Sequence, residues 1–402
     1  MSMLDMLSDP AVWERFYEYK TSLACTKQFT AQLRAFIDAE GYLPVSECIR
    51  NGDPFPLPRK SVISKMHTTK KRTVYTYPEA ENIVLKLLTY LILRRYDGLF
   101  SGNLFSFRPG RTAKDAICRL TNIHGISGMY AYKADISNYF NSIPISRLLD
   151  EMQAVMSDDP ALFAFLSRLL NEPHVLDHGR IITENKGVMA GTPLSSFYAN
   201  LYLKELDRWF YERRIPFARY SDDVIAFAPT RELCEEYADH IRGYLAERGL
   251  RLNPDKERFT DAEAPWDFLG FRYHGGTVDI APASVMKLKR KMHRKSRALA
   301  RWRDRNELTG EKAAKAFIRI FNRKLTESGS DNELTWSYWF FPVINTTESL
   351  HVIDLYAQDC IRFLVSGKRT KARFNVRYED MKQLGYKSLV HEYYSFNENE
   401  AE

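Results

Sequence analysis

Apolar residues recur at helical spacing from the start of the chain: Val12, Phe16, Tyr19 and Leu23, then Phe29, Leu33, Phe36 and Ile37. This predicts a helical lead-in over residues 1–50. The breaker-rich stretch Asn51–Arg59 (NGDPFPLPR) ends it, and the basic, β-branched run SVISKMHTTKKRTVYTYP then reads as two short strands around Lys70 and Lys71. A helix is predicted from Glu79 to about Tyr96, with Ile83, Leu87, Tyr90 and Leu91 on one face. After the loop NLFSFRPGR come a helix from about Thr112, a strand MYAYKAD, helices through Leu170, and the segment KGVMAGTPLSSFYANLYLKELDRWF, whose second half is an apolar helix. In ARYSDDVIAFA a polar turn sits between two apolar runs, the pattern of a strand, a tight turn and a second strand. A helix from Arg231 to Gly249 and a strand WDFLGFRYH follow. From about Ala281 the period lengthens into long helices, with Val285, Leu288, Met292, Leu299 and Trp302 as their apolar stripe. Three regions result: 1–50, 51–280 and 281–402.

Composition narrows the class. The chain is 45% hydrophobic and 13% aromatic over 402 residues, enough for substantial cores and too much for a disordered chain. A net charge of +7 is modest, but between Lys287 and Lys324 fifteen lysines and arginines meet only Asp304, Glu307 and Glu311. That density suits a polyphosphate partner. The five cysteines are scattered and form no C-x-x-C pair, which argues against a disulfide framework or a zinc cage and for a reducing cytoplasm. The N-terminus carries early acids and no apolar core of a signal peptide, and no run approaches the roughly 18 apolar residues of a membrane span.

Candidate chemistry lies in the middle. Asp135 ends a predicted strand, and Asp222–Asp223 sit at a predicted hairpin tip. If the strands are neighbours, three carboxylates converge at one sheet edge, and hard-oxygen clusters of this kind hold the paired metal ions of phosphoryl transfer. Taken singly, each aspartate is also an ordinary cap or turn residue.

Several segments resemble, in order, the motifs of reverse transcriptases. Tyr220-Ser221-Asp222-Asp223 is similar to the Y/F-x-D-D box, and Ala134-Asp135-Ile136-Ser137-Asn138-Tyr139-Phe140 to the first palm motif. Ala190-Gly191-Thr192-Pro193-Leu194-Ser195-Ser196 resembles the Q-G-x-P-x-S-P loop, with Ala190 in place of the usual glutamine and Ser196 in place of proline. These departures imply a loop that holds template or nucleotide in its own way. Ser106-Phe107-Arg108-Pro109-Gly110-Arg111 is similar to the S/G-F-R-P-G-R/K segment of group II intron and related bacterial enzymes, Leu252-Asn253-Pro254-Asp255-Lys256 to the motif with a lysine near pyrophosphate, and Phe268-Leu269-Gly270-Phe271 to the primer-gripping hairpin.

The resemblance implies an α+β right-hand polymerase: an N-terminal helical extension (1–50), fingers and palm with an antiparallel sheet (51–280), and a basic α-helical thumb with the C-terminal region (281–402). It implies two Mg²⁺ ions held by Asp135, Asp222, Asp223 and the backbone carbonyl of Ile136. It implies nucleotide binding by Arg72, Asn138, Tyr139, Phe140, Ala190, Gly191 and Lys256, with the Phe140 ring excluding a 2′-hydroxyl. Arg108, Lys289, Arg290, Arg294, Arg297 and Arg301 are the expected nucleic-acid contacts, with a role in the fold or a buried ion pair as the equal alternative for Arg108. The expected activity is RNA-directed DNA synthesis from dNTPs, giving cDNA. By size and helical C-terminal region, the chain resembles stand-alone defence-associated enzymes that copy a neighbouring structured non-coding RNA. Retron-type or intron-derived synthesis, template-independent or protein-primed addition, and an inactive RNA-binding scaffold remain alternatives at this point.

Overall fold

The computed structural model describes residues 2–23, 26–64, 71–184, 187–326 and 335–401. Its strands are β1 (Arg59–Ser64), β2 (Lys71–Thr76), β3 (Tyr130–Asp135), β4 (His174–Asp177), β5 (Arg180–Thr183), β6 (Phe217–Tyr220), β7 (Asp223–Ala228), β8 (Arg258–Thr260), β9 (Trp266–Phe268), β10 (Phe271–His274) and β11 (Thr277–Ile280). They form three sheets, in the orders β2-β1-β4-β5, β6-β7-β3-β8 and β11-β10-β9. Every pairing is antiparallel except the single β1–β4 contact at Arg59 and Leu176. The fold class is α+β.

Two compact units result, one of Met1–Leu23 with Gln28–Ala262, the other chiefly Glu263–Glu402. In the first, the N-terminal helices are part of the main core. The Trp13 ring stacks on Tyr42 at 4.9 Å, its Nε1 donates to the Leu7 carbonyl at 2.8 Å, and Phe16 meets Tyr90 edge-on at 5.3 Å. Helix starts are fixed locally. Asp9 caps the helix Pro10–Ser22, Thr112 and Asp115 form a reciprocal capping box, and Asp159 caps Pro160–Asn171 while also accepting from the Met3 N–H.

The change of period at Ala281 predicts a boundary at 280, whereas the two units of the structure divide between Ala262 and Glu263. The β9–β11 sheet packs into the C-terminal helices: Phe271 meets Phe340 at 5.0 Å, the Val278 N–H donates to Asn345, and Asp279 accepts from Ser349. The predicted strand WDFLGFRYH is a hairpin, turned by Leu269 and Gly270, both at positive φ. Helices Pro282–Arg305, Gly310–Leu325 and Glu348–Ser366 pack together, burying Val285, Leu288, Met292 and Leu299. Trp302, expected in that stripe, is 38% exposed instead. Among the described residues no helix is long and apolar enough to cross a membrane.

Candidate active site

β3 and β7 lie side by side in the central sheet with Asp135 opposite Asp223, and the β6–β7 turn carries Ser221 and Asp222. One oxygen from each of Asp135, Asp222 and Asp223 falls within 4.8 Å of the others. Asp135 is buried and the other two are half-buried. Burial first, then the neighbouring carboxylates, raises the pKa of Asp222 and pushes that of Asp223 up to about 6; Lys133 and Lys256 offset only part of this at Asp223. Three hard oxygen donors this close together fit divalent cations of the Mg²⁺ type.

A buried polar clamp aims the turn. Ser221 sits at φ +61°, the left-handed sense that tight hairpin turns favour. Its N–H donates to Ser106 Oγ at 2.8 Å and its carbonyl accepts from Arg219 Nη1 at 3.2 Å. Arg219, fully buried on β6, also makes a bidentate pair with Asp207 at 2.7 and 2.6 Å and reaches the Asn200 carbonyl. Burial alone would lower the guanidinium's pKa; the Asp207 partnership outweighs this and keeps Arg219 charged. Asn200 Nδ2 donates back to the Ser106 carbonyl. Across the sheet, the Ile136 N–H donates to the Asp222 carbonyl and the Asn253 N–H to that of Asp135. The Asn253 side chain then caps the turn Pro254–Lys256, which sets Lys256 Nζ against Asp135 at 2.5 Å. Partial burial opposes the lysine's charge, but Asp135, Asp223 and Asp222 together hold its pKa above the usual value.

The AGTP loop is pinned to the other sheet of this unit. The Tyr75 N–H donates to the Ala190 carbonyl at 2.9 Å, and Ala190 is buried. Gly191 has φ +102°, and a Cβ there would stand 3.0 Å from the Tyr75 carbonyl oxygen. Gly191→Ala is therefore expected to lower stability by about 1–2 kcal/mol. An unchanged melting temperature would show that the loop is not held against β2. Arg72 lies on β2 opposite Ile63, but the turn at Lys70 and the side chains of Lys71 and Arg72 are outside the described residues.

Other expected positions divide. Asn138 is exposed at φ +48° and accepts from Asn141; Phe140 is half-buried, edge-on to Phe107 at 6.3 Å. Two readings need correction. Tyr139 is not at a nucleotide surface: it is 2% exposed and its hydroxyl donates to the Ala199 carbonyl, which fits the core. Arg108 is not a groove residue, because its guanidinium is taken up by a bidentate pair with Asp97 and the carbonyls of Ser101, Leu104 and Asp97. In the second unit, Arg290, Arg294, Arg297 and Arg301 are exposed along the helix Pro282–Arg305, at the four- and three-residue spacing of one face. Lys289 lies on another face, its ammonium 5.2 Å from the Tyr356 ring.

The clamp residues Ser106, Asn200, Asp207 and Arg219 were not singled out from sequence. One signal was present: an arginine inside the otherwise apolar strand preceding the Asp222–Asp223 turn.

Among curated proteins the chain is 26% identical over 152 residues to an uncharacterized 91 kDa protein in a cob intron of Schizosaccharomyces pombe, covering 38% of this chain and 18% of that one. It is 21% identical over 211 residues to the group II intron-encoded protein LtrA of Lactococcus lactis subsp. cremoris, covering 52% and 34%. The chain thus spans between about a fifth and a third of the length of these relatives. Among solved structures, a Candida tropicalis telomerase truncated from its C-terminal domain aligns at TM-score 0.48 and 13% identity, covering 56% of this chain and 55% of that one. The apo telomerase of the same species aligns at TM-score 0.48 and 12% identity, covering 82% and 69%. The family model for reverse transcriptase (RNA-dependent DNA polymerase) matches residues 60–273, just over half of the chain. That span holds all three aspartates, the hairpin clamp, the AGTP loop and Lys256, and the chain belongs to the reverse transcriptase family.

Proposed function

We propose that this protein is an RNA-directed DNA polymerase that uses two Mg²⁺ ions and dNTPs to copy an RNA template into cDNA. The observation that carries the reading is the carboxylate triad: Asp135, Asp222 and Asp223 at the paired ends of β3 and β7, with oxygens within 4.8 Å of one another. Metal ions bound there would supply charge that activates the primer hydroxyl and stabilises the leaving oxygen. The chain's own part is positional. The Ser106–Arg219–Asp207 clamp fixes the height and direction of Asp222. Lys256 keeps a positive charge beside the triad, in place to meet a leaving pyrophosphate. Gly191 and Ala190 hold the nucleotide loop against β2, the strand of Arg72.

Phe140 follows Asp135 by five residues, after the left-handed turn at Asn138, and acts as the sugar gate. Phe140→Ala is expected to relax discrimination against ribonucleotides on the order of tenfold or more, since the selection rests on a steric clash. Competition between dNTPs and NTPs in primer extension measures it; unchanged discrimination removes Phe140 from the gate.

The narrower reading is a dedicated, structured non-coding RNA as template and a role in antiphage defence. Its support is analogy of size and architecture: 402 residues with a helical region after Ala281, as in stand-alone bacterial enzymes of that kind. The test is to purify the protein from its host, sequence the co-purifying RNA and DNA, and repeat this with the Asp222→Asn, Asp223→Asn variant. One enriched RNA whose complement appears only with wild type establishes templated synthesis. Bound RNA without templated DNA overturns it in favour of untemplated addition or an RNA-binding scaffold.

A further inference from the structure

The Trp336–Phe340 helix forms one wall of a pocket. The opposite wall is the helix Pro282–Arg305, and the cavity, of about 260 Å³, is lined by Lys287, Leu288, Lys291, Trp336, Trp339 and Phe340. Phe340 is fixed from below, 5.0 Å from Phe271 and 4.7 Å from Trp336, ring to ring. Lys287 and Lys291 stand one helical turn apart, and so nearly do Trp336 and Trp339, so the pocket presents two cations and two indoles.

The described lining of the pocket is cationic. Among the described residues no acidic group pairs with Lys287 or Lys291, while Lys324 and Arg294 add further positive charge nearby. Burial, then repulsion from Lys287, Lys324 and Arg294, lowers the pKa of Lys291. The cavity is open to solvent on one side and can seat one ring system between its walls. An acidic peptide would use the lysines but leave the indoles idle. A duplex would offer phosphates but keep its bases stacked inside.

We propose that this pocket takes one unstacked base of a single-stranded RNA or DNA, with Trp336 and Trp339 against the base and Lys287 and Lys291 on the flanking phosphates. Aromatic rings with adjacent cations are the common solution for sequence-tolerant single-strand binding. The exposed arginines 290, 294, 297 and 301 run along the adjoining face of the same helix and continue the phosphate track. The inference draws on the polymerase reading only in that such an enzyme handles unpaired strand.

The test uses the full chain and fluorescent oligouridine, oligothymidine and a blunt duplex of the same length. Trp339→Ala is expected to weaken single-strand binding by about tenfold, within the range of one lost base stack, and Trp339→Phe to restore most of it. Lys287→Gln with Lys291→Gln is expected to lower the salt dependence by about 1.4 in slope, two single-strand phosphate contacts. A larger effect on oligouridine assigns an RNA strand, and on oligothymidine a DNA strand; either supports the pocket. Unchanged single-strand affinity in Trp339→Ala, or an equal loss on the duplex, overturns it. Primer extension by the wild type separates this from the polymerase reading. Extension with a binding-neutral Trp339→Ala sinks the pocket alone, and Trp339-dependent binding without extension sinks the polymerase reading alone.

Discussion

Replacing Asp222 and Asp223 together by asparagine is expected to reduce DNA synthesis by on the order of a thousandfold or more, because the metal-holding charge of the triad falls to Asp135 alone. The same change is expected to stabilise the metal-free protein. Asp223 has its carboxyl pushed up to about 6, chiefly by burial and by Asp222, so the folded state resists its ionisation. A carboxylate with a raised folded-state value contributes stability that is fully present below the unfolded value near 4 and is lost as pH rises through 6. Without divalent ions, the melting temperature of the wild type should therefore fall relative to the variant between pH 4 and pH 7. The variant should gain about 1–2 kcal/mol at neutral pH. Magnesium should raise the wild-type melting temperature and leave that of the variant nearly unmoved. A variant that still polymerises, or that is less stable than wild type at neutral pH, contradicts the assignment.

Arg219→Leu is expected to cost about 3–5 kcal/mol, since it strands the fully buried Asp207 carboxylate. The double change Arg219→Leu with Asp207→Leu should recover much of that stability, because a buried ion pair can be exchanged for packed apolar side chains at little net cost. Activity should not recover with it. The Ser221 carbonyl loses its Arg219 donor in both variants, so the turn bearing Asp222 is no longer fixed. Chemical denaturation and primer extension on the same samples check this; a double variant with full activity would show that the clamp serves folding only.

The triad was legible in the sequence because its parts are local. A strand ending in Asp135 and an apolar–turn–apolar run around Asp222–Asp223 carry their own periodicity, and antiparallel pairing brings them together. The clamp was not legible in the same way: its members come from a loop, two helices and a strand, and only the tertiary fold shows that Ser106 meets Ser221. Arg108 shows a choice that local sequence leaves open: groove contact and buried ion pair read alike in the motif, and only the fold shows Asp97, eleven residues earlier, as its partner. The hairpin of β4 and β5 escaped the reading because its strands are only four residues long and its turn rests on His178 and Gly179, both at positive φ. The boundary at Ala262 was hidden for another reason: β9 to β11 read as part of the polymerase sheet by sequence order, and only their contacts with Phe340, Asn345 and Ser349 attach them to the helices.

The left-handed Ser221 offers a way to alter the site that spares its carboxylates. The Ser221 amide is held by the hydroxyl of Ser106, so a substitution at 106 changes how firmly the metal-bearing turn is held without altering a single charge. If the proposed polymerase activity holds, a change at position 106, remote in sequence from the three aspartates, would therefore reach the site through the turn alone.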